Sequence, residues 1–540
     1  MTGTWRLARL AARRDRVVLP VWITAIAVLA WGVVASYLDT HPTEADRLAT
    51  ARLSASNPLT RIFDGPASGT EIGAMAMVEG YKILAILAAL MAAQAVIRHT
   101  RREEETGRAE LVGSAAVGRH APLVAALAVA LGACVLLGIA VAAGIAVTGL
   151  AWTGAWAAGL AVAGTGGVFA GVAAVAVQVF STARGASGLV SGALGAAFVV
   201  RAVGDLRGTV GADDVVLVSA WPSWLSPMGW GQQVRPFAED NWWIAALFVG
   251  TTGLLVAVAA VLVARRDVGT GLVAARRGPA RAPAGLLSTM GLTWRLQRAV
   301  LGVWLAAMAL AGAVFGSVGE TFADYIAENP NMREILEAIA PGAEPLELYH
   351  AFLMALLGVV AAGYTVQALL RMRAEEVSGR LEPVLATATS RARWLGSHVL
   401  VVGAGTALVL GASGVAGGLT YGLATGSWTG AFGGITAAAL VQVPPALALG
   451  GFVVAVFGLL PRWSGPVTWF ALATALVMGQ LGAVFELPQW MLDLSPFTHA
   501  PAVPAEAFAA VPVLWLAGAA VGLGALGFLA FRRRDLALGA

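Results

Sequence analysis

The sequence predicts an all-α polytopic membrane protein with twelve transmembrane helices. They form two parallel six-helix repeats, and both termini are cytoplasmic. Three observations predict this. Of 540 residues, 58% are hydrophobic and 12% charged, with a mean hydropathy of +0.77; a soluble chain carries roughly 25% charged residues. Twelve apolar runs are about long enough for the ~20 helical residues that cross a hydrocarbon core. Short motifs also recur, in the same order, in the two halves.

In the first half the runs are Val17–Tyr37, Tyr81–Ile97, Ala121–Gly149, Trp156–Phe180, Ser187–Gly204 and Trp242–Ala264. In the second they are Val300–Val318, Ala351–Leu370, Ser397–Leu423, Gly430–Leu460, Val467–Phe485 and Ala509–Phe531. The first run is too long for a secretory h-region, and the arginines before it fit an uncleaved anchor. With the N-terminus inside, 27 of the 35 basic residues fall on the cytosolic side. Six lie outside: Arg47, Arg52, Arg61, Arg207, Arg235 and Arg333. Arg201 and Lys82 stand at outer helix ends, where long side chains snorkel. That asymmetry is the positive-inside signature. Tryptophans mark the outer boundary at Trp152, Trp156, Trp221, Trp224, Trp242, Trp243, Trp428 and Trp490.

This composition excludes a soluble enzyme and a disordered chain. It also excludes a nucleic-acid binder, although the pI is near 9.6, because the net charge is only +4 and the arginines follow the membrane. The single Cys134 permits no internal disulfide and no Cys-rich metal site. His41, His99, His120, His350, His398 and His499 are scattered without an HExxH spacing, so no metal site is expected.

The repeat is carried by four matches. Thr4-Trp5-Arg6-Leu7 returns as Thr293-Trp294-Arg295-Leu296. Glu103-Glu104-Glu105-Thr106-Gly107-Arg108-Ala109-Glu110 returns as Glu375-Glu376-Val377-Ser378-Gly379-Arg380-Leu381-Glu382, and Arg119 then falls on Arg391. Leu225-Ser226-Pro227 returns as Leu494-Ser495-Pro496, and Arg265-Arg266-Asp267 as Arg533-Arg534-Asp535. Six spans per unit give both units the same orientation, a parallel repeat. The predicted domains are 1–264, a first six-helix half with an N-terminal amphipathic elbow helix, and 291–540, the second half. Residues 265–290 form a cytoplasmic linker rich in Arg, Gly, Ala and Pro.

Two cytosolic loops, 98–120 and 371–396, are long enough to touch a partner. In each, a charged continuation of a membrane helix reaches Gly107 or Gly379, where a helix C-cap needs positive φ. A short amphipathic helix is predicted next, over Arg108–Val117 and Arg380–Thr389, with Pro383 in a first turn. Such a helix suits docking into a cytosolic groove; a solvated turn obeying the positive-inside rule is the plainer alternative. The acidic residues recur at matching positions, which that rule does not require. Trp5–Arg16 and, less fully, Gly291–Arg298 read as interfacial elbow helices, or as plain topology anchors.

Ion-coupled carriers usually hold an acidic residue at mid-membrane depth. None of the twelve runs has one; Glu79, Asp205 and Glu486 lie at outer helix ends. A Walker A loop needs lysine followed by Ser or Thr, and Lys82, the sole lysine, precedes Ile83. This chain is therefore expected not to be an enzyme, and its motor to be a separate chain. An ion-coupled secondary multidrug transporter and a non-transport membrane scaffold are the alternatives. A neighbouring gene for a soluble ATPase separates them.

With these features the sequence resembles the membrane permeases of ABC-2 type exporters over nearly its whole length, once per half. The resemblance rests on the elbow helix, the Glu-rich stretch leading into a coupling helix, a short second cytoplasmic turn and the Leu-Ser-Pro segment. The fused double length looks like actinobacterial multidrug and polyketide efflux permeases of the anti-tetronasin type, in the bacterial plasma membrane. It implies a complex with two copies of a cytosolic ABC ATPase, which would hold ATP and Mg; this chain is expected to bind no cofactor. It implies outward, alternating-access export of amphipathic drugs, ionophores or lipids, with surrounding membrane lipids as the other contact. Under it the coupling residues are Glu103, Glu104, Gly107, Arg108 and Glu110, with Glu375, Glu376, Gly379, Arg380 and Glu382. Arg184 and Arg462 mark second contacts.

The resemblance also implies a substrate cavity between the halves. Candidates are Met91, Gln94, Phe198, Met308, Phe315, Tyr364, Gln367, Phe470, Met478 and Gln480. Met and aromatic side chains suit varied apolar ligands, and each equally suits lipid contact or helix packing. Glu79-x-Tyr81-Lys82 and Glu347-x-Tyr349-His350 recur at outer ends of spans two and eight. They read as an outer gate, or as an interfacial anchor with a local ion pair. Segments 38–78 and 319–347 are expected as helical caps, and 205–241 as short helices returning toward the outer leaflet.

Overall fold

The computed structural model describes residues 2–273, 280–320, 323, 342–428, 431–480 and 488–536. Arg333, Glu486 and most of the expected cap 319–347 lie outside these residues. Among the described residues every regular element is helical except one two-stranded hairpin. Eleven described helices are long and apolar enough to cross a membrane. The expected eleventh span begins as a helix over Ser464–Gln480, and its outer end lies outside the described residues.

The chain divides into two compact units, Met1–Gly278 and Pro279–Ala540, within the Arg-rich linker segment. In the first, spans two (Ile72–His99) and four (Trp152–Val179) are the inner helices, with 67% and 72% of their apolar windows buried. Spans one (Val18–Thr40), three (Ala121–Ala146), five (Ala183–Leu206) and six (Ile244–Ala264) surround them. Span two starts nine residues earlier than its apolar run because its first turns are packed as well. Gly73 and Gly154 leave room for the Phe237 ring, which an added Cβ would meet at 2.5 and 2.3 Å.

In the second unit, span eight (Pro345–Leu369) is the inner helix beside a broken span ten, Ala431–Val441 and Val443–Leu459. The break falls at Gln442, just before Pro444 and Pro445, which cannot donate to the helix ladder. Spans seven (Thr289–Ser317) and nine (Arg391–Thr425) pack together, as do span ten and span twelve, Ala510–Arg533. Small residues make these approaches possible. A Cβ on Gly312 would lie 2.0 Å from the Ser413 carbonyl oxygen, and one on Gly527 would lie 2.1 Å from that of Val454.

The elbows differ between halves. Thr4–Arg14 is a separate helix, as expected, with Trp5 exposed. In the second half the expected Gly291–Arg298 elbow is instead the start of the single helix Thr289–Ser317. The first half places the polar run Arg13-Arg14-Asp15-Arg16 before its span, whereas Arg298 is followed directly by Ala299-Val300-Leu301. Nothing there breaks the helix. At its start, Thr293 shares a hydrogen bond with Ser397 at 2.9 Å, and Gln297 donates to the Ala368 carbonyl at 2.8 Å.

Outside the membrane, the first half carries helices Glu44–Ser56 and Pro58–Phe63. The segment after span five adds a short hairpin, Thr209–Val210 with Leu217–Val218, that the sequence reading did not anticipate. Asp213 closes its turn by accepting from the Val215 and Val216 N–H groups at 3.2 and 3.1 Å, which holds its carboxyl below the usual range. A 3₁₀ turn Trp221–Leu225 and a short helix Pro227–Gln233 follow, matching the expected short helices.

Candidate functional site

The candidate site is the duplicated cytosolic end of each half. After span two the helix restarts as Arg101–Glu105, and after span eight as Arg371–Val377. Both stop at glycine with positive φ, +73° at Gly107 and +71° at Gly379, the conformation that residue tolerates best. The short helices that follow are Arg108–Gly113 and Leu381–Leu385. They are shorter than the expected Arg108–Val117 and Arg380–Thr389. Gly113 and Ser114, and the β-branched Thr387 and Thr389, are poor helix formers where the longer helices would run.

The acidic residues divide by role. Glu110 and Glu382 are exposed, as are Arg108, Arg184, Arg380, Arg462 and the apolar Leu111. Glu103 pairs with Arg14 of the elbow helix at 2.9 Å and with Arg108 at 3.6 Å. Glu105 accepts from the Ala183 N–H at 2.8 Å, tying the second cytosolic turn to this segment. Glu375 is buried between Arg380 at 3.1 Å and Arg371 at 3.6 Å.

Glu104 and Glu376 were expected to face outward, and both turn to arginines of their own half. Glu104 accepts from Arg101 at 2.7 Å and from Arg266 at 2.6 and 2.9 Å. Glu376, with no exposed surface, accepts from Arg373 at 3.2 Å and from Arg534 at 2.6 and 3.0 Å. Burying a carboxylate is costly unless it is paired, and these arginines supply the pairing. Arg101 also donates to the Val177 carbonyl, and the Arg534 guanidinium lies 5.0 and 5.1 Å from the Phe457 and Phe531 ring centres. Asp15, between elbow and span one, is buried and accepts from Arg98 and, at 2.7 Å, pairs with His99. Sequence reasoning had Arg266, Arg534, Arg119 and Arg391 only as repeat markers, and Asp15 not at all.

The expected cavity residues also divide. Met91, Met308 and Tyr364 are buried in the cores of their own halves, so none of the three presents an open lining. Tyr364 packs edge-on to Trp304 and against Gly405. Gln94, Gln367 and Phe470 are exposed, and Gln367 accepts from the Trp304 indole at 2.8 Å. Phe198, Phe315, Met478 and Gln480 are half-buried, with the Arg201 guanidinium 4.7 Å from the Phe198 ring centre.

At the outer end, the two tyrosines turn inward, each into its own half. Tyr81 is buried 2.8 Å from Thr165 Oγ1, and Tyr349 donates to the Phe315 carbonyl at 2.8 Å. Each hydroxyl has its partner inside its own half. Glu79 accepts from Tyr37 at 2.6 Å, and Lys82 pairs with Asp64. Burial raises the Asp64 carboxyl against the lowering pull of Lys82. Glu347 is exposed, and His350 is buried beside the Tyr421 ring. Arg201 and Asp205, both fully buried, pair at 3.1 Å, and Ser223 donates to Asp205 at 2.6 Å.

The family model described as Multidrug efflux system permease Rv1217c, C-terminal domain, matches residues 286–532. The chain is also 39% identical over 537 residues to the Multidrug efflux system permease protein Rv1217c of Mycobacterium tuberculosis (strain ATCC 25618 / H37Rv). That match covers 99% of this chain and 95% of the relative. The chain belongs to the Rv1217c family of efflux permeases. As a member of the Rv1217c family it is a multi-pass transport permease of the plasma membrane. The Rv1217c C-terminal match contains the second cytosolic loop and turn, from Arg371 to Arg462, and ends just before Arg534.

Proposed function

We propose that this chain is the membrane subunit of an ATP-driven exporter, moving amphipathic drugs outward under power from two copies of a separate ATPase. The observation that carries the reading is the doubled cytosolic element. Each half presents an exposed short helix, Arg108–Gly113 or Leu381–Leu385, held by buried ion pairs to its own membrane helices. Two equivalent attachment points suit a symmetric motor of two subunits. The relative's name, a multidrug efflux system permease, supports drugs as cargo. The docking contacts are Arg108, Glu110, Arg184, Arg380, Glu382 and Arg462; Glu103, Glu104, Glu375 and Glu376 set their position from behind.

ATP binding to the motor pushes these helices and tips each half between inward-open and outward-open states. Gln94, Gln367 and Phe470 are the exposed side chains we propose to meet substrate. Reconstitution tests the reading. The purified permease alone should hydrolyse no ATP, and co-expression with its ATPase should yield a complex whose turnover rises with added drug. ATP turnover by rigorously pure permease, or a complex indifferent to every drug tried, would overturn it.

A further inference from the structure

The ends of spans six and twelve belong to the same cytosolic element as the loops. Arg266, just past span six, reaches both oxygens of Glu104 at 2.6 and 2.9 Å. Arg534, just past span twelve, reaches both oxygens of Glu376 at 2.6 and 3.0 Å. Such bidentate pairs fix orientation as well as distance. A second arginine in each half holds the open carbonyls of the same helix end. Arg119 donates to those of Val263 and Arg266 at 3.0 and 2.5 Å, and Arg391 to those of Phe531 and Arg534 at 3.0 and 2.5 Å. The positive-inside rule asks only for arginines in cytosolic water. It does not ask for two carboxylates, one half-buried and one fully buried, each clamped to a helix end about 160 residues away, at the same place in both halves.

We propose that Glu104–Arg266 and Glu376–Arg534 are latches that make the coupling segment and the last span of each half move as one rigid body during transport. These four are positioning residues. They carry a push on the short helices directly into spans six and twelve, so the motion does not depend on span two or eight alone. The inference rests on the ATP-driven reading for the source of the push, but the rigid linkage holds whatever the energy source.

The test uses the full chain with its ATPase in lipid nanodiscs and proteoliposomes. Spin labels go on Ser114→Cys at the end of the short helix and Val261→Cys on the exposed face of span six, in a Cys134→Ala background. The label separation should be the same in the resting, drug-bound and ATP-trapped states, and should broaden in Glu104→Gln. Drug exported per ATP should fall several-fold in Glu104→Gln/Glu376→Gln, with no change in the drug concentration giving half-maximal export. Glu104→Asp/Glu376→Asp should recover part of the loss. Where the glutamine variant does not fold, Arg266→Lys/Arg534→Lys keeps the charge, loses the fork and should show the same uncoupling. A label separation that changes between states with the latch intact would overturn the proposal, as would full export per ATP in the variants. Export that needs no ATP would sink the energy reading alone, because the resting and drug-bound separations still decide the latch.

Discussion

Ser226 Oγ donates to the carbonyl oxygen of Ala197 at 2.7 Å, pinning the Leu-Ser-Pro segment to span five. The same hydroxyl accepts from the N–H groups of Met228 and Gly229, capping the short helix that follows. Ser495 repeats the arrangement, donating to Ala475 at 3.1 Å and accepting from Phe497. Proline at the next position starts each helical turn with a residue that has no N–H to leave unpaired. Each buried serine therefore does two jobs in one motif.

Ser226→Ala and Ser495→Ala should each cost about 1–2 kcal/mol, the sum of a lost cap and a lost buried hydrogen bond. The two sites lie in different halves and should add. Thermal melting of the detergent-purified protein reads this directly. Single variants with unchanged melting would show that the serines are incidental.

Gly527→Ala should destabilise by about 1–3 kcal/mol, the usual cost of overpacking. Its Cβ would stand 2.1 Å from a backbone oxygen of span ten, which cannot swing aside. Gly188→Ala, with nothing within 4 Å of the added carbon, is the matched control and should be neutral or stabilising by up to about 1 kcal/mol. Size-exclusion profiles with melting temperatures distinguish the two.

Glu376→Ala should be far more damaging to folding than Glu110→Ala or Glu382→Ala. Removing one partner of a buried ion pair costs about 3–5 kcal/mol, whereas exposed substitutions stay within about 0.5 kcal/mol. Glu110→Arg/Glu382→Arg should instead leave melting unchanged and reduce co-purification of the ATPase. Unchanged co-purification would remove the docking role from the exposed helices.

Lys82→Met should make stability depend on pH in a defined direction. Burial already raises the Asp64 carboxyl above its ordinary 3.8, and Lys82 opposes that. Without the lysine the folded value rises further. A raised carboxyl stabilises in its neutral form, fully below its ordinary value, and loses that contribution as pH rises through the folded one. As pH rises above the ordinary carboxyl value of 3.8, the variant's melting temperature should go on falling to higher pH than the parent's. A parallel profile would mean that Lys82 does not govern Asp64.

The spans were legible because hydropathy is a local sum, and eleven described helices match the apolar runs to within a few turns. Positive φ at Gly107 and Gly379 was legible because a charged helix stops there. The inward turn of Glu104 and Glu376 was not, because their partners lie 162 and 158 residues on. The repeat held the clue, since Arg266 and Arg534 recur as faithfully as the glutamates. Tyr81 and Tyr349 read as an outer gate or an interfacial anchor from their repeated motif; the buried hydroxyl partners that draw them inward come from helix packing. The hairpin at 209–218 is too short for alternation to show, and only Gly211 and Asp213 mark its turn.

The central claim is that this permease moves drugs by drawing on a separate ATPase. Drug uptake into inside-out proteoliposomes containing both subunits tests it most directly. Uptake should require ATP on the motor's side, stop when the ATPase carries a dead Walker A lysine, and persist when proton and sodium gradients are collapsed. Uptake driven by an imposed proton or sodium gradient with the permease alone would contradict the account.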